Sequence, residues 1–380
     1  MFKTTNSILL DPGSLVGGSE ISNYSNSPST STLVFTNDRA NSNFGTAIAA
    51  SGNYVVVTEH SYAFTYANQR SRVFQVSGSS NGYTLDLVAT LSPFNLTSND
   101  DLFFWGYSAA IDENSNRVAI GSPYDGPGYK GSVYVYDLQG TALFRLRHPN
   151  VQNVTDEQFG WSIAIKYGRI FVSCSGQNYK DVFIYDLNGN LIKAIYGSNR
   201  YQRIRDIAVG NGRLVVGNVQ NFPKFLDIYD LDGNLLKTIQ QGQGYVGNGY
   251  AEYIAIGNGR IVTATKDSYE NNVYIYNLDG DLIRNYVNAF SNINYYERIS
   301  IAIGDGKIIV GGRASYSPTT NLVVFDLNGN ILERYDVADG YGASLAISNG
   351  RLFIGKPVNP NNGQLYIADI PKFKDSLELI

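Results

Sequence analysis

The sequence predicts an all-β fold of repeated four-stranded units closed into a ring, and three observations carry it. First, a phrase recurs: Tyr136-Asp137-Leu138-Gln139-Gly140 returns at Tyr185–Gly189, Tyr229–Gly233, Tyr276–Gly280 and Phe325–Gly329, its glycines 49, 44, 47 and 49 residues apart. Periods of this size mark one supersecondary unit per repeat, which buries its apolar face only by stacking on its neighbours. Second, a tight-turn signal of another kind, such as Gly210-Asn211-Gly212, sits between alternating apolar runs in the same units. Asn-Gly and Asp-Gly supply the positive φ angles that two-residue hairpins need. Third, 29 Tyr, 18 Phe and 39 Gly in 380 residues suit short strands joined by turns. Two hairpins per unit make a four-stranded blade, so the fold is a β-propeller.

Blade order follows from the first hairpins. Their turns fall near Gly52, Asn114, Gly168, Gly212, Gly259, Gly306 and Gly350, which gives seven blades. In the second blade Asp112-Glu113-Asn114-Ser115-Asn116 replaces the tight turn. The second hairpin is clearest where Val182-Phe183-Ile184-Tyr185 turns at Asn188-Gly189-Asn190 into Leu191-Ile192-Lys193-Ala194-Ile195. The last unit has a third strand at Gln364–Asp369 and no recognisable fourth, whereas Ser31-Thr32-Leu33-Val34-Phe35 stands before Phe44-Gly45 like an orphan fourth strand. It is expected to pair into blade seven, because closure removes two exposed sheet edges. The expected organisation is an extended N-terminal arm (1–30), a seven-bladed β-propeller (31–371) and a C-terminal tail (372–380). The arm is rich in Ser, Asn, Thr and Gly, with an apolar knot at Ile8, Leu9 and Leu10 that is expected to anchor it on a partner.

Composition excludes several classes. Charged residues make up 16% of the chain, the net charge is −4 and no basic block occurs, which excludes a duplex nucleic-acid partner. No run approaches the ~18 apolar residues of a membrane span, and residues 1–12 lack a signal-peptide core. The chain is therefore expected to be soluble and not carried by the general secretory route. Cys174 is the single cysteine, so no intrachain disulfide forms; its apolar flank predicts a small buried strand residue.

Blade two carries a family resemblance. Trp105-Gly106-Tyr107-Ser108-Ala109-Ala110-Ile111, then Val118-Ala119-Ile120-Gly121-Ser122-Pro123 and Gly131-Ser132-Val133-Tyr134-Val135-Tyr136, resembles the FG-GAP repeat of integrin-α-type seven-bladed propellers. The aromatic–Gly opening returns at Phe44-Gly45, Phe159-Gly160 and Tyr341-Gly342, and Gly-x-Pro at Gly355-Lys356-Pro357. Many FG-GAP blades carry a calcium loop of alternating acids. Here it is cut to Asn-Gly, too few oxygens for calcium, so no metal and no cofactor is expected. The phrase Tyr185-Asp186-Leu187-Asn188-Gly189-Asn190-Leu191-Ile192 is also similar in style to propeller proteins of tailed-phage virions, marine ones especially. That likeness implies a virion structural or adhesion protein, with other virion proteins as partners of the arm.

Function is expected on the face opposite the Asn-Gly turns, where the connections are long and dissimilar. Tyr62, Tyr66, Tyr124, Tyr129, Tyr179, Tyr201, Tyr245, Tyr250, Tyr269, Tyr295, Tyr296 and Tyr316, with Arg313, fall there. Tyrosine gives broad contact area at small entropic cost, which suits a host-surface glycan or a protein receptor. Catalysis has less support. His60 and His148, the two histidines, belong to different blades. Among the loop acids Asp100, Asp101, Asp125, Asp156, Glu157, Asp267 and Glu297, expected to be solvated, no spacing selects a pair. The reading is non-enzymatic: a virion adhesion or structural propeller. A secreted or surface bacterial propeller is the alternative, and a carbohydrate-active enzyme the second.

Overall fold

The computed structural model describes residues 24–25, 32–37, 43–59, 69–79, 82–96, 102–149, 157–176, 181–197, 204–218, 225–240, 252–265, 272–286, 289, 296–314, 319–338, 342–357 and 363–370. Every regular element among them is a strand. Seven antiparallel sheets follow one another in chain order, each entered through its innermost strand: Ile48–Ser51, Ser108–Asp112, Phe159–Lys166, Ile204–Gly210, Tyr253–Gly257, Tyr296–Gly304 and Ser344–Ser348. Seven apolar clusters accompany them, one at each junction between adjacent blades, and the last joins blade seven to blade one through Phe44, Phe74, Phe353 and Leu365. A cluster at every junction, the first and last blades included, is a closed seven-bladed β-propeller.

Closure uses the strand expected to supply it. Thr32–Thr36 pairs antiparallel with Gln364–Asp369 and becomes the outer strand of blade seven. Phe35 lies 5.1 Å from the rings of both Phe44 and Phe74, and the Arg72 guanidinium covers it at 5.1 Å. One feature of the arm departs from expectation. Tyr24–Ser25 pairs in parallel with Arg334 and Tyr335 on the outer strand of blade six, so part of the segment expected to stand off the ring lies against it.

The recurring phrase is a capped turn. Asp186 Oδ1 accepts the amides of Asn188 and Asn190 at 2.9 and 2.8 Å, and Asn190 Nδ2 donates to Asp186 Oδ2 at 2.8 Å. Asp230 with Asn234 and Asp326 with Asn330 repeat the arrangement, while Asn277 and Asp281 exchange roles. In Asp186, Asp230 and Asp326 the carboxylate thus spends one oxygen on backbone amides and the other on an Asn side chain, an arrangement in which Asp and Asn can exchange places, and the turn closes on Gly at φ near +80°. Among the described residues no three His, Cys, Asp or Glu are placed to hold a metal ion.

A serine on the inner strand staples the inner rim, within an aromatic–Gly–x–Ser motif in blades two and seven and after Glu297-Arg298-Ile299 in blade six. Ser108 Oγ donates to Gly160 O at 2.8 Å, Ser300 Oγ to Gly342 O at 2.8 Å and Ser344 Oγ to Gly45 O at 2.7 Å, each crossing to the next blade. Thr58 Oγ1 does the same for Gly106 O at 2.8 Å. In blade four Asp206 replaces the motif: it accepts Ser162 Oγ at 2.9 Å from blade three and the Ile254 amide at 2.8 Å from blade five. Gly121 of the Gly-x-Pro signature makes room for a staple, since a Cβ there would stand 2.2 Å from Ser108 Oγ and 2.4 Å from Gly160 O. Cys174 is fully buried at a strand end, as expected, and burial pushes its thiol well up.

Candidate functional site: an aromatic terrace across blades two to four

The uniform capped turns occupy one face of the ring and the unequal connections the other, so each inner strand starts at the variable face. The residue between Gly and Ser in the staple motif sits at that start. In blade two it is Tyr107, in blade three Trp161, and Arg205 holds the matching place in blade four. They form a run: Tyr107 lies 4.6 Å from Trp161, and the Arg205 guanidinium stands 5.5 Å from the centre of the indole. Trp161 Nε1 donates to Arg205 O at 3.1 Å, which fixes the indole's tilt. Tyr107 and Trp161 are buried and serve as the floor.

Tyr124 extends the run outward. Its ring stands 6.3 Å from Trp161, 4.6 Å from Phe104 and 5.5 Å from Tyr129. Phe104 and Tyr124 are half-buried and Tyr129 is 48% exposed, so the aromatic surface rises from the inner rim to solvent as a terrace. Its upper step is rigid. The short antiparallel pairing of Leu102–Phe103 with Tyr124–Asp125 holds one side. On the other, the Tyr129 amide donates to Gly126 O at 3.1 Å, and Tyr129 O and Lys130 O both accept from Gln158 and Phe159 amides at 3.0 Å. Phe104, Tyr129 and Gln158 all adopt left-handed φ, at 65°, 57° and 54°, outside any Asn-Gly turn. Bulky residues held in that region mark sites where the surroundings impose the conformation. Here they impose the display of Phe104 and Tyr129.

Beneath the terrace lie charges that are closed to solvent. Asp125, expected to be solvated, is buried: it accepts the Tyr134 hydroxyl at 2.8 Å and Arg145 Nη2 at 2.6 Å. Its chemistry is structural, since breaking such a buried pair would strand a charge. Glu157 is also buried, contrary to expectation, with Oε2 3.5 Å from His148 Nδ1, while His148 Nε2 lies 3.9 Å from Asp181 Oδ2. Burial pushes the Glu157 carboxyl above the ordinary carboxylate range, against the pull of His148 and Lys130. Sequence spacing gave no hint of this group, because its members come from the end of blade two and from two loops of blade three. No member offers an open face to a substrate.

Of the residues expected to form the binding surface, the structure brings Tyr124 and Tyr129 together. Tyr62, Tyr66, Tyr179, Tyr201, Tyr245, Tyr250, Tyr269, Tyr295 and Tyr316 lie outside the described residues, as do Ile8, Leu9, Leu10, His60, Asp100, Asp101, Asp156, Asp267 and the tail; so do the side chains of Tyr296, Glu297 and Arg313. Phe104, Tyr107, Trp161 and Arg205 were not foreseen in a binding role. The signal for two of them, Tyr107 and Trp161, was present in the position after glycine in successive blades.

No family model matches the chain, and no curated protein matches it either. Solved structures do. Hydrazine synthase of Kuenenia stuttgartiensis superposes with a TM-score of 0.62 at 11% identity, over 88% of this chain and 97% of that one. The β-propeller domain of Myceliophteria thermophila Cps50 (Swd1) superposes with a TM-score of 0.59 at 8% identity, over 90% of this chain and 100% of that one. At such identities the likeness is one of fold, and folds of this kind host unrelated functions. The chain is a seven-bladed β-propeller with a described aromatic terrace on its variable face.

Proposed function

We propose that this chain is a non-catalytic adhesion and structural propeller of a tailed-phage virion, and that its variable face meets a host-surface glycan or a protein through the terrace. The single observation that carries the binding part is the terrace itself: graded, pre-set aromatic rings at the start of the inner strands, with Tyr129 lifted into solvent. Flat aromatic faces stack on sugar rings and protein side chains alike, and rigidity lowers the ordering cost of binding. The acids beneath the terrace are occupied or enclosed, which favours binding over hydrolysis. The virion part rests on the likeness of the repeated turn phrase to that of tailed-phage virion propellers.

Mass spectrometry of gradient-purified particles from the source that encodes the chain tests the virion part. Peptides of this chain co-purifying at constant ratio with capsid and tail proteins are expected. Their absence, with the protein recovered free, would overturn that part and leave a secreted binder to be sorted by glycan array.

A further inference from the structure

Beneath the terrace three ionisable side chains share a space closed to solvent. His148 comes from just past the outer strand of blade two, and Glu157 and Asp181 come from blade three. One imidazolium cannot neutralise two carboxylates, so the group is electroneutral only with a further proton on one of them. The two acids differ in their fitness to hold it. Asp181 Oδ1 accepts the Gly197 amide at 2.9 Å, whereas neither carboxyl oxygen of Glu157 accepts a hydrogen bond among the described residues. A buried carboxylate without donors is costly, and the neutral acid is much less so. Glu157 is the acid better suited to the proton.

The other titratable groups around this space do not change that assignment. Burial pushes the Cys174 thiol and the Tyr185 phenol up, so both stay neutral. Arg147, beside His148, is exposed, and Arg145 is paired with Asp125. Lys130 is half-buried and attracts the Glu157 charge, as His148 does. Burial, helped by Asp181, outweighs them both and keeps the carboxyl above its ordinary range. Phe159 and Phe183 wall the space, their ring centres 6.4 and 4.9 Å from that of the imidazole.

The main chain of Glu157 ties this group to the terrace. Its carbonyl accepts the Gly176 amide at 3.1 Å, and the next two amides, of Gln158 and Phe159, hold Tyr129 O and Lys130 O at 3.0 Å. We propose that Glu157 is a proton-operated latch for the terrace: as the neutral acid it holds residues 157–159, and through them Tyr129, and on ionising it lets them go. The sign follows from a folded value raised above the unfolded one, which is about 4.3. Stability from such a group is complete below the unfolded value and is lost as pH rises through the folded value. The upper step is therefore held at acid pH and loosened above it. The consequence for binding rests on the terrace being the contact surface, whereas the latch itself does not.

Residue-resolved hydrogen exchange of the full chain, expressed relative to the unstructured rate at each pH, tests it. Protection of the Gln158 and Phe159 amides should fall about tenfold between about pH 4.5 and about pH 8 in wild type. Glu157→Gln, which keeps a neutral side chain at every pH, should hold its protection throughout. Asp181→Asn leaves one carboxylate opposite His148 and should shrink the fall. Wild-type protection that is flat with pH would overturn the latch, as would an equal fall in Glu157→Gln or an undiminished one in Asp181→Asn. None of these results bears on the terrace as a contact surface, which removal of the Tyr129 side chain tests separately.

Discussion

At the residue scale, the structure turns on small groups filling spaces that admit no other. Gly121 is the clearest. An alanine there would drive its Cβ into Ser108 Oγ and Gly160 O and break the staple between blades two and three. We expect Gly121→Ala to cost about 2–4 kcal/mol, read as a lowered denaturation midpoint, whereas Gly212→Ala meets no neighbouring atom and owes its loss to φ +72° alone. A midpoint for Gly121→Ala equal to wild type would refute the staple's role. The turn aspartates set a pH dependence. Hydrogen bonds, from the Asn190 and Asn234 side chains first, hold the Asp186 and Asp230 carboxyls below the ordinary aspartate value, and the Lys237 ammonium first does so for Asp281. Folded values depressed below unfolded ones stabilise the protein above the unfolded aspartate pKa, about 4. That contribution fades as pH falls from there through the folded values. A chain with Asp186→Asn and Asp230→Asn should therefore show a shallower loss of melting temperature below pH 4 than wild type, with the difference between them greatest at neutral pH.

At the element scale, the strand Thr32–Thr36 carries closure, and Phe35 is its grip on Phe44 and Phe74. Phe35→Ala should cost about 3–5 kcal/mol if its site cannot collapse, and it should also speed hydrogen exchange in Gln364–Asp369 before other strands. Uniform loss across all blades would contradict a local clasp. This strand was legible in the sequence because the last repeat lacked a partner and the first residues supplied one in phase. So were the hairpins, since Asn-Gly and the capped Asp turn are local chemistry. The edge addition at Tyr24–Ser25 was not legible: two residues of main-chain pairing leave no periodic trace. Nor was the His148–Glu157–Asp181 group, whose members meet only because blades two and three pack together. The terrace was half legible. Tyrosine in long loops marked Tyr124 and Tyr129, whereas Tyr107 and Trp161 follow the glycine of two separate repeats and meet only because the ring sets consecutive blades side by side.

At the scale of the whole molecule, the ring separates two tasks. Staples, capped turns and seven inter-blade cores make a scaffold that owes nothing to a ligand, and the variable face is free to carry contact residues. Because Tyr129 is exposed and bonds to the scaffold through its main chain, its side chain can be removed without loss of fold. The most direct measurement of the proposed contact is binding of purified wild-type and Tyr129→Ala rings to the cells proposed as host, or to the glycan proposed as ligand, alongside melting temperatures. A fall in affinity of tenfold or more, about 1.4 kcal/mol, with unchanged melting is the expected result. Equal binding by the two proteins would contradict the terrace as the contact surface.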